Sequence, residues 1–211
     1  MIISYHGKQG FKIQQGQTVL GVNLPHNNTR TGKGPRFKCD IILACLLHSD
    51  FAPPDITELS DIEGGPFTIT GPGEYEVSDV VVRGYSTLAN YDGLTLNTLY
   101  MIQWDGIRLC AVGALSGIDN LAPEVREAMA ETDILLVPIG GGSVITSEEA
   151  YKLAVKAEPS LIIPCSFDND GALDHFLKEG GEDKITKEDK ITVKKKDLEG
   201  LTGKIQVLEA Q

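Results

Sequence analysis

The chain has 211 residues, a formal net charge of -11 and a pI near 4.8. With 41% hydrophobic and 23% charged residues it has the balance of a globular protein with a sizeable core, expected as one domain over 1–211. The acidic balance argues against nucleic acid as a partner. The lack of a bilayer-length apolar run or a charged-then-apolar leader leads us to expect a cytoplasmic protein with no membrane attachment.

In chain order, "MIISYH" and "GFKIQQ" read as short strands around the turn "GKQG", and "QTVLGVNL" as another. Residues 25–38 are polar, basic and rich in turn formers, so a loop is expected. "CDIILACLL" (39–47) is almost wholly apolar, the pattern of a strand covered on both faces. A loop over 52–65 follows, with room for one helical turn after Pro54. Two strand patterns flank "GPGEYEV", which reads as a structural turn built on Gly71, Pro72 and Gly73. "NTLYMIQWDGIRLCAVGAL" reads as a hairpin with "WDG" at its turn.

The second half alternates helices with strands. "DNLAPEVREAMAET" predicts a helix with Pro123 in its first turn. "DILLVPIGG" and "SLIIPCSF" are buried strands. "TSEEAYKLAVKAE" predicts a helix capped by Thr146 or Ser147, and "ALDHFLKEG" a third, ended by Gly180 or Gly181. "KITVKKK" and "GKIQVLEA" close the chain as strand-like pieces, with Lys194 to Lys196 as a solvated strand end rather than a basic patch for nucleic acid. Strands first, then alternating helices and strands, predict an α+β (α/β layered) fold of packed sheets with helices outside.

The chemistry-bearing stretch is "LLHSDF", residues 46–51. His48 and Asp50 sit two apart where a buried strand meets a loop, a spacing suited to a metal or catalytic site. Their neighbours Leu46 and Phe51 have no ligating atom. The cysteines Cys39, Cys45, Cys110 and Cys165 form no CxxC pair, so buried free thiols are expected.

The order of "YHGKQGFKI", "CDIILACLLHSDF", "GPGEYEV", "GIRLCAVGAL", "DILLVPIGGG" with "EEAYKLA", and "LIIPCSF" resembles the metallo-β-lactamase fold superfamily. It looks closest to the metal-dependent hydrolases that include ascorbate-phosphate-lactonase-like proteins. The resemblance implies a four-layer αββα sandwich with a metal site at one edge, between the sheets. It also implies an HxHxDH motif, which falls here on Leu46, His48, Asp50 and Phe51. The later His and Asp ligands fall on Ala111 and Ala114, and the last His on Ser166. A polar position near the start is Lys8, and an Asp after the second strand falls at or near Asn23.

A catalytic zinc site needs three protein ligands and a water, and His48 with Asp50 supplies two at most. The expected reading is therefore a metal-free, hydrolytically inactive relative that binds a small molecule or protein partner, self-association included. Its relic-site candidates are His48, Asp50, Ser166, Cys165, Lys8 and Asn23. The alternative is a divergent hydrolase of a small ester, lactone or phosphoester, with zinc, manganese or iron held in part by His48 and Asp50. A Cys165 or Ser166 nucleophile with His48 as base is a further option. The two are strand neighbours and should point to opposite faces, so core filler is preferred for Cys165. His6, His26 and His175 read as surface or satisfied histidines. Gly140 to Gly142 lacks the GxxxxGK[ST] context of a phosphate loop and reads as a close approach of backbone to the site edge.

Overall fold

A computed structural model describes residues 1–24, 37–52, 56, 63–167, 170–183 and 185–211. His26 and the expected turn after Pro54 lie outside the described residues. The first sheet contains β1 (Ile2–Tyr5), β2 (Phe11–Gln15), β3 (Thr18–Val22), β4 (Ile41–Leu43), β5 (Phe67–Ile69) and β12 (Lys190–Thr192), in the order β12-β1-β2-β3-β4-β5. The second contains β6 (Gly73–Val77), β7 (Val80–Tyr91), β8 (Leu94–Trp104), β9 (Ile107–Ala111), β10 (Ile134–Pro138), β11 (Leu161–Cys165) and β13 (Lys204–Ile205). Its order is β13-β11-β10-β9-β8-β7-β6. Both sheets are mixed: β3, β4 and β5 pair in parallel, as do β9, β10, β11 and β13.

The two sheets pack face to face. Ile3, Ile13, Leu20 and Leu43 of the first meet Val82, Tyr100, Ile102 and Ile163 of the second in one buried cluster. Alternation assigns the other face. In β10, Ile134 and Leu136 join that cluster, while Leu135 and Val137 pack under the helices. Every residue of β10 is thus buried, which is why it reads as a continuous apolar run. The helices are α1 (Pro123–Met129), α2 (Ser147–Ala157), α3 (Asp170–Glu179) and the single turn α4 (Lys195–Leu198). Val125, Leu153 and Phe176 bring α1, α2 and α3 onto the second sheet. Ile42 and Ala44 face the other way, into a smaller cluster with Leu24, Ala52 and Ile56. This is the layered α+β sandwich the sequence pattern predicts.

Local chemistry accounts for the element ends. Thr146 caps α2 through a capping box with Glu149. Asp105 and Gly106 both take positive φ, 50° and 72°, as a two-residue turn between antiparallel strands requires.

Three expectations need correction. "GEYEV" is not part of a turn but strand β6, paired with β7; only Gly71 and Pro72 precede it. The stretch 39–47 is a strand only over Ile41–Leu43, because the chain then turns back through hydrogen bonds from Phe51 N and Ala52 N to His48 O. The basic run at Lys194 to Lys196 is not a strand end but the start of α4. There Asp197 accepts from Lys194 N, and Lys195 Nζ reaches the buried carboxylate of Asp133 at 2.7 Å.

Candidate functional site

The site lies where five chain segments meet: the turn after β4, the β1–β2 loop, the β7–β8 turn, and the ends of β9 and β11. His48 sits in the first. Its Nδ1 accepts from Asp50 N at 3.2 Å, and its Nε2 lies 3.3 Å from Asp92 Oδ2. Asp50 Oδ2 accepts a 2.6 Å hydrogen bond from the phenol of Tyr91. The two carboxylate–imidazole approaches differ, since Asp50 Oδ2 is 3.9 Å from His48 Nδ1. So the backbone amide of Asp50, rather than its carboxylate, is the imidazole's partner. The Tyr91 ring also stands edge-on to His48 and Phe51, with centroids 5.1 and 5.0 Å away.

Tyr91 and Asp92 escaped the sequence reading. They occupy the tip of the β7–β8 hairpin, where Asp92 (φ 47°) and Gly93 (φ 81°) form a two-residue turn. The Asp-Gly pair that betrayed the turn at Asp105 and Gly106 is present here as well. It was the available signal.

Lys8 is brought to the same place. Its Nζ lies 3.9 Å from Asp50 Oδ2, and the side chain is 46% exposed. Its carbonyl accepts from Ser166 N at 2.7 Å and from the Tyr5 phenol at 2.8 Å. These bonds tie the end of β11 to the β1–β2 loop. Lys8 (φ 50°) and Ser166 (φ 55°) both hold left-handed backbone to make the contact. Gly140 is required opposite Ser166, because a β-carbon there would strike the Ser166 carbonyl. This is the close approach expected of the glycine run.

Asn23 pairs with Cys45. It is buried, its Oδ1 accepts from Cys45 N at 2.8 Å, and its Nδ2 donates to Cys45 Sγ at 3.3 Å. A second buried asparagine, Asn97, does the same for the loop after β9. Its Oδ1 accepts from Ala114 N at 2.7 Å, and its Nδ2 donates to Val112 O and Thr87 Oγ1. The two amides fix the loops that carry Leu46, Ala111 and Ala114. Asn97 also went unnoticed in the sequence, where a lone Asn in a strand pattern carries no signal.

Cys165 lies in the inter-sheet core, 1% exposed. Burial, then the neighbouring Cys45, raises its thiol well above the usual value. Cys45 itself is pushed up to about 12 by burial, against the lowering effect of the Asn23 hydrogen bond. Neither thiol is set up to ionise as a nucleophile. His6 is half-buried against Phe37 with Ser4 Oγ at 3.1 Å. Burial and then Lys12 lower its pKa. His175 is exposed on α3.

The described residues of this site do not fit a metal centre. Leu46, Phe51, Ala111 and Ala114 are buried apolar side chains with no donor atom. His48 and Asp50 are each engaged by organic partners. Among the described residues no three His, Cys, Asp or Glu side chains converge to hold an ion.

The model of the β-lactamase superfamily domain matches residues 2–166. The chain belongs to the metallo-β-lactamase superfamily. Solved structures with this fold span it end to end. A candidate Zn-dependent hydrolase of the metallo-β-lactamase superfamily from Thermotoga maritima superposes with a TM-score of 0.73 at 23% identity, covering 100% of this chain and 99% of that one. The metallo-β-lactamase fold protein YhfI from Bacillus subtilis gives 0.68 at 12%, with 99% and 96% covered. Igni18, a metallo hydrolase from Ignicoccus hospitalis, gives 0.64 at 17%, with 92% and 99% covered. At these identities the likeness speaks for the fold alone. No curated protein matches. The superfamily is one of hydrolases that are usually metal-dependent.

Proposed function

We propose that this superfamily member is a metal-free pseudoenzyme that binds a ligand or partner without hydrolysing it. The observation that carries the reading is the capture of its two remaining ligand-type side chains by organic groups. Tyr91 donates to Asp50 at 2.6 Å, and His48 is held between Asp50 N and Asp92. A cation at Asp50 would have to displace the Tyr91 hydrogen bond, and among the described residues no three His, Cys, Asp or Glu side chains converge to hold one. Leucine, phenylalanine and alanine at the other positions can neither hold a metal nor activate water. The hydrogen bonds do what a metal does structurally, cross-linking the turn after β4 to the β7–β8 hairpin.

Thermal unfolding with zinc, manganese(II) or iron(II), against chelator, tests this. A metal bound to the native state at 100 times its Kd stabilises by about 2.7 kcal/mol. The expected result is an unchanged midpoint, together with no turnover of an ester, lactone and phosphoester panel above that of the His48→Ala/Asp50→Ala variant. A metal-dependent rise in midpoint, or turnover that needs His48, would overturn it.

A further inference from the structure

Beside the relic site runs a leucine-lined trough. One hollow of about 390 Å³ is bounded by Leu46, Leu47, Pro72, Leu94 and Leu96. A second, of about 550 Å³, is bounded by Leu88, Leu96, Leu115 and Leu121, with Asp119 and Glu149 among its lining. The two share Ser86 and Leu96 in their linings. Leu47, Leu88, Leu94 and Leu96 are 55%, 53%, 37% and 66% exposed. Leu88 and Leu96 sit directly opposite each other in the β7–β8 ladder. The other large exposed apolar side chains among the described residues, Ile2, Phe67 and Val155, belong to other elements. Water-facing leucines gathered in one place are costly in a chain that has a core to put them in, and such patches mark protein contacts.

The charges select the occupant. Among the described residues, neither hollow is lined by a lysine or arginine. Asp119 and Glu149 line the second hollow, and Asp92 adjoins Gly93, which lines the first. The chain as a whole carries -11. We infer that this trough docks a segment of a partner protein that carries apolar anchors flanked by lysine or arginine. A second copy paired through the same face would set acidic rim against acidic rim. This chain's own apolar-basic stretch at 190–196 is committed, because Ile191 and Val193 are buried. A nucleic acid or an anionic membrane is repelled by the same charges. The inference rests on the binding reading above and deepens it by naming the partner's chemistry. Metal-dependent hydrolysis would sink that reading yet leave selection of peptides at the trough intact.

The test is selection of a phage-displayed random peptide library against the full chain, followed by fluorescence anisotropy of the enriched peptides. Enriched sequences should combine Leu, Ile, Met or Phe with Lys or Arg. Binding should fall at least tenfold in Leu96→Asp and several-fold in Asp119→Lys, and weaken as salt rises. Leu96 is exposed, so Leu96→Asp should melt with the wild type; Leu96→Ala, with a smaller loss of binding, is the milder check. No enrichment, acid-rich peptides, or binding indifferent to Leu96→Asp would overturn the inference. So would a concentration-dependent dimer abolished by Leu96→Asp.

Discussion

The Tyr91 phenol donates to Asp50 Oδ2 over 2.6 Å, joining a hairpin tip to the turn that ends β4. A hydrogen bond to a charged acceptor in a half-buried setting contributes about 1.5–3 kcal/mol. Tyr91→Phe keeps the ring packing on His48 and Phe51 and removes this bond. It should lower unfolding free energy by about 1–2 kcal/mol in urea titration, with an unchanged m-value. Asp92→Asn should move it by less than about 0.5 kcal/mol, because Asp92 is exposed and its approach to His48 is weak.

Asn97 satisfies Ala114 N and Val112 O where water cannot reach. Asn97→Ala strands both groups. Unfolding free energy should drop by about 2–4 kcal/mol. Amide exchange at Ala114 should accelerate more than at β10, since the loss is local to the loop.

Gly113 has φ 72°, and a β-carbon there would lie 2.6 Å from Cys45 Cβ and against the Asn97 side-chain oxygen. Gly113→Ala therefore meets a backbone penalty and a steric one. It should cost more than about 2 kcal/mol. Gly93, also at positive φ but with no atom of the described residues within 4 Å of a β-carbon there, should cost only the backbone share, about 1 kcal/mol for Gly93→Ala.

How legible was this in the sequence? The fold was legible where burial is two-sided or periodic. β10 and β11 read as apolar runs because sheet and helices cover both faces. The capping box of α2 and the Asp-Gly turn after Trp104 carry local chemistry that needs no tertiary context. "GEYEV" misled because Gly71, Pro72 and Gly73 signal a turn, while after them Glu74 and Glu76 are exposed, as an edge strand allows, and only Tyr75 and Val77 pack on the core. The site was half legible. His48 and Asp50 stood out by spacing, and Lys8 by resemblance. Tyr91, Asp92 and Asn97 arrive from β7 and β8, and only the folded sheet reveals which of their atoms meet the turn.

The thiols give a pH prediction. Burial raises Cys45 from 9.0 to about 12, and Cys39 likewise. Each is held neutral in the fold and ionises first in the unfolded chain. The stability they contribute is therefore full below pH 9 and lost as pH rises from 9 towards 12. Unfolding free energy should fall across that window in Cys45-containing protein and less steeply in Cys45→Ala. At pH 8, iodoacetamide should label Cys45 far more slowly in the native protein than in urea.

The most direct test of the central claim is metal stoichiometry. Protein purified without chelator, equilibrated with zinc, manganese(II) and iron(II) and freed of unbound ion, is assayed by inductively coupled plasma mass spectrometry. The account predicts well under one ion per chain for each metal, at the same level in His48→Ala and Asp50→Ala. Near-stoichiometric metal that disappears in His48→Ala would contradict it.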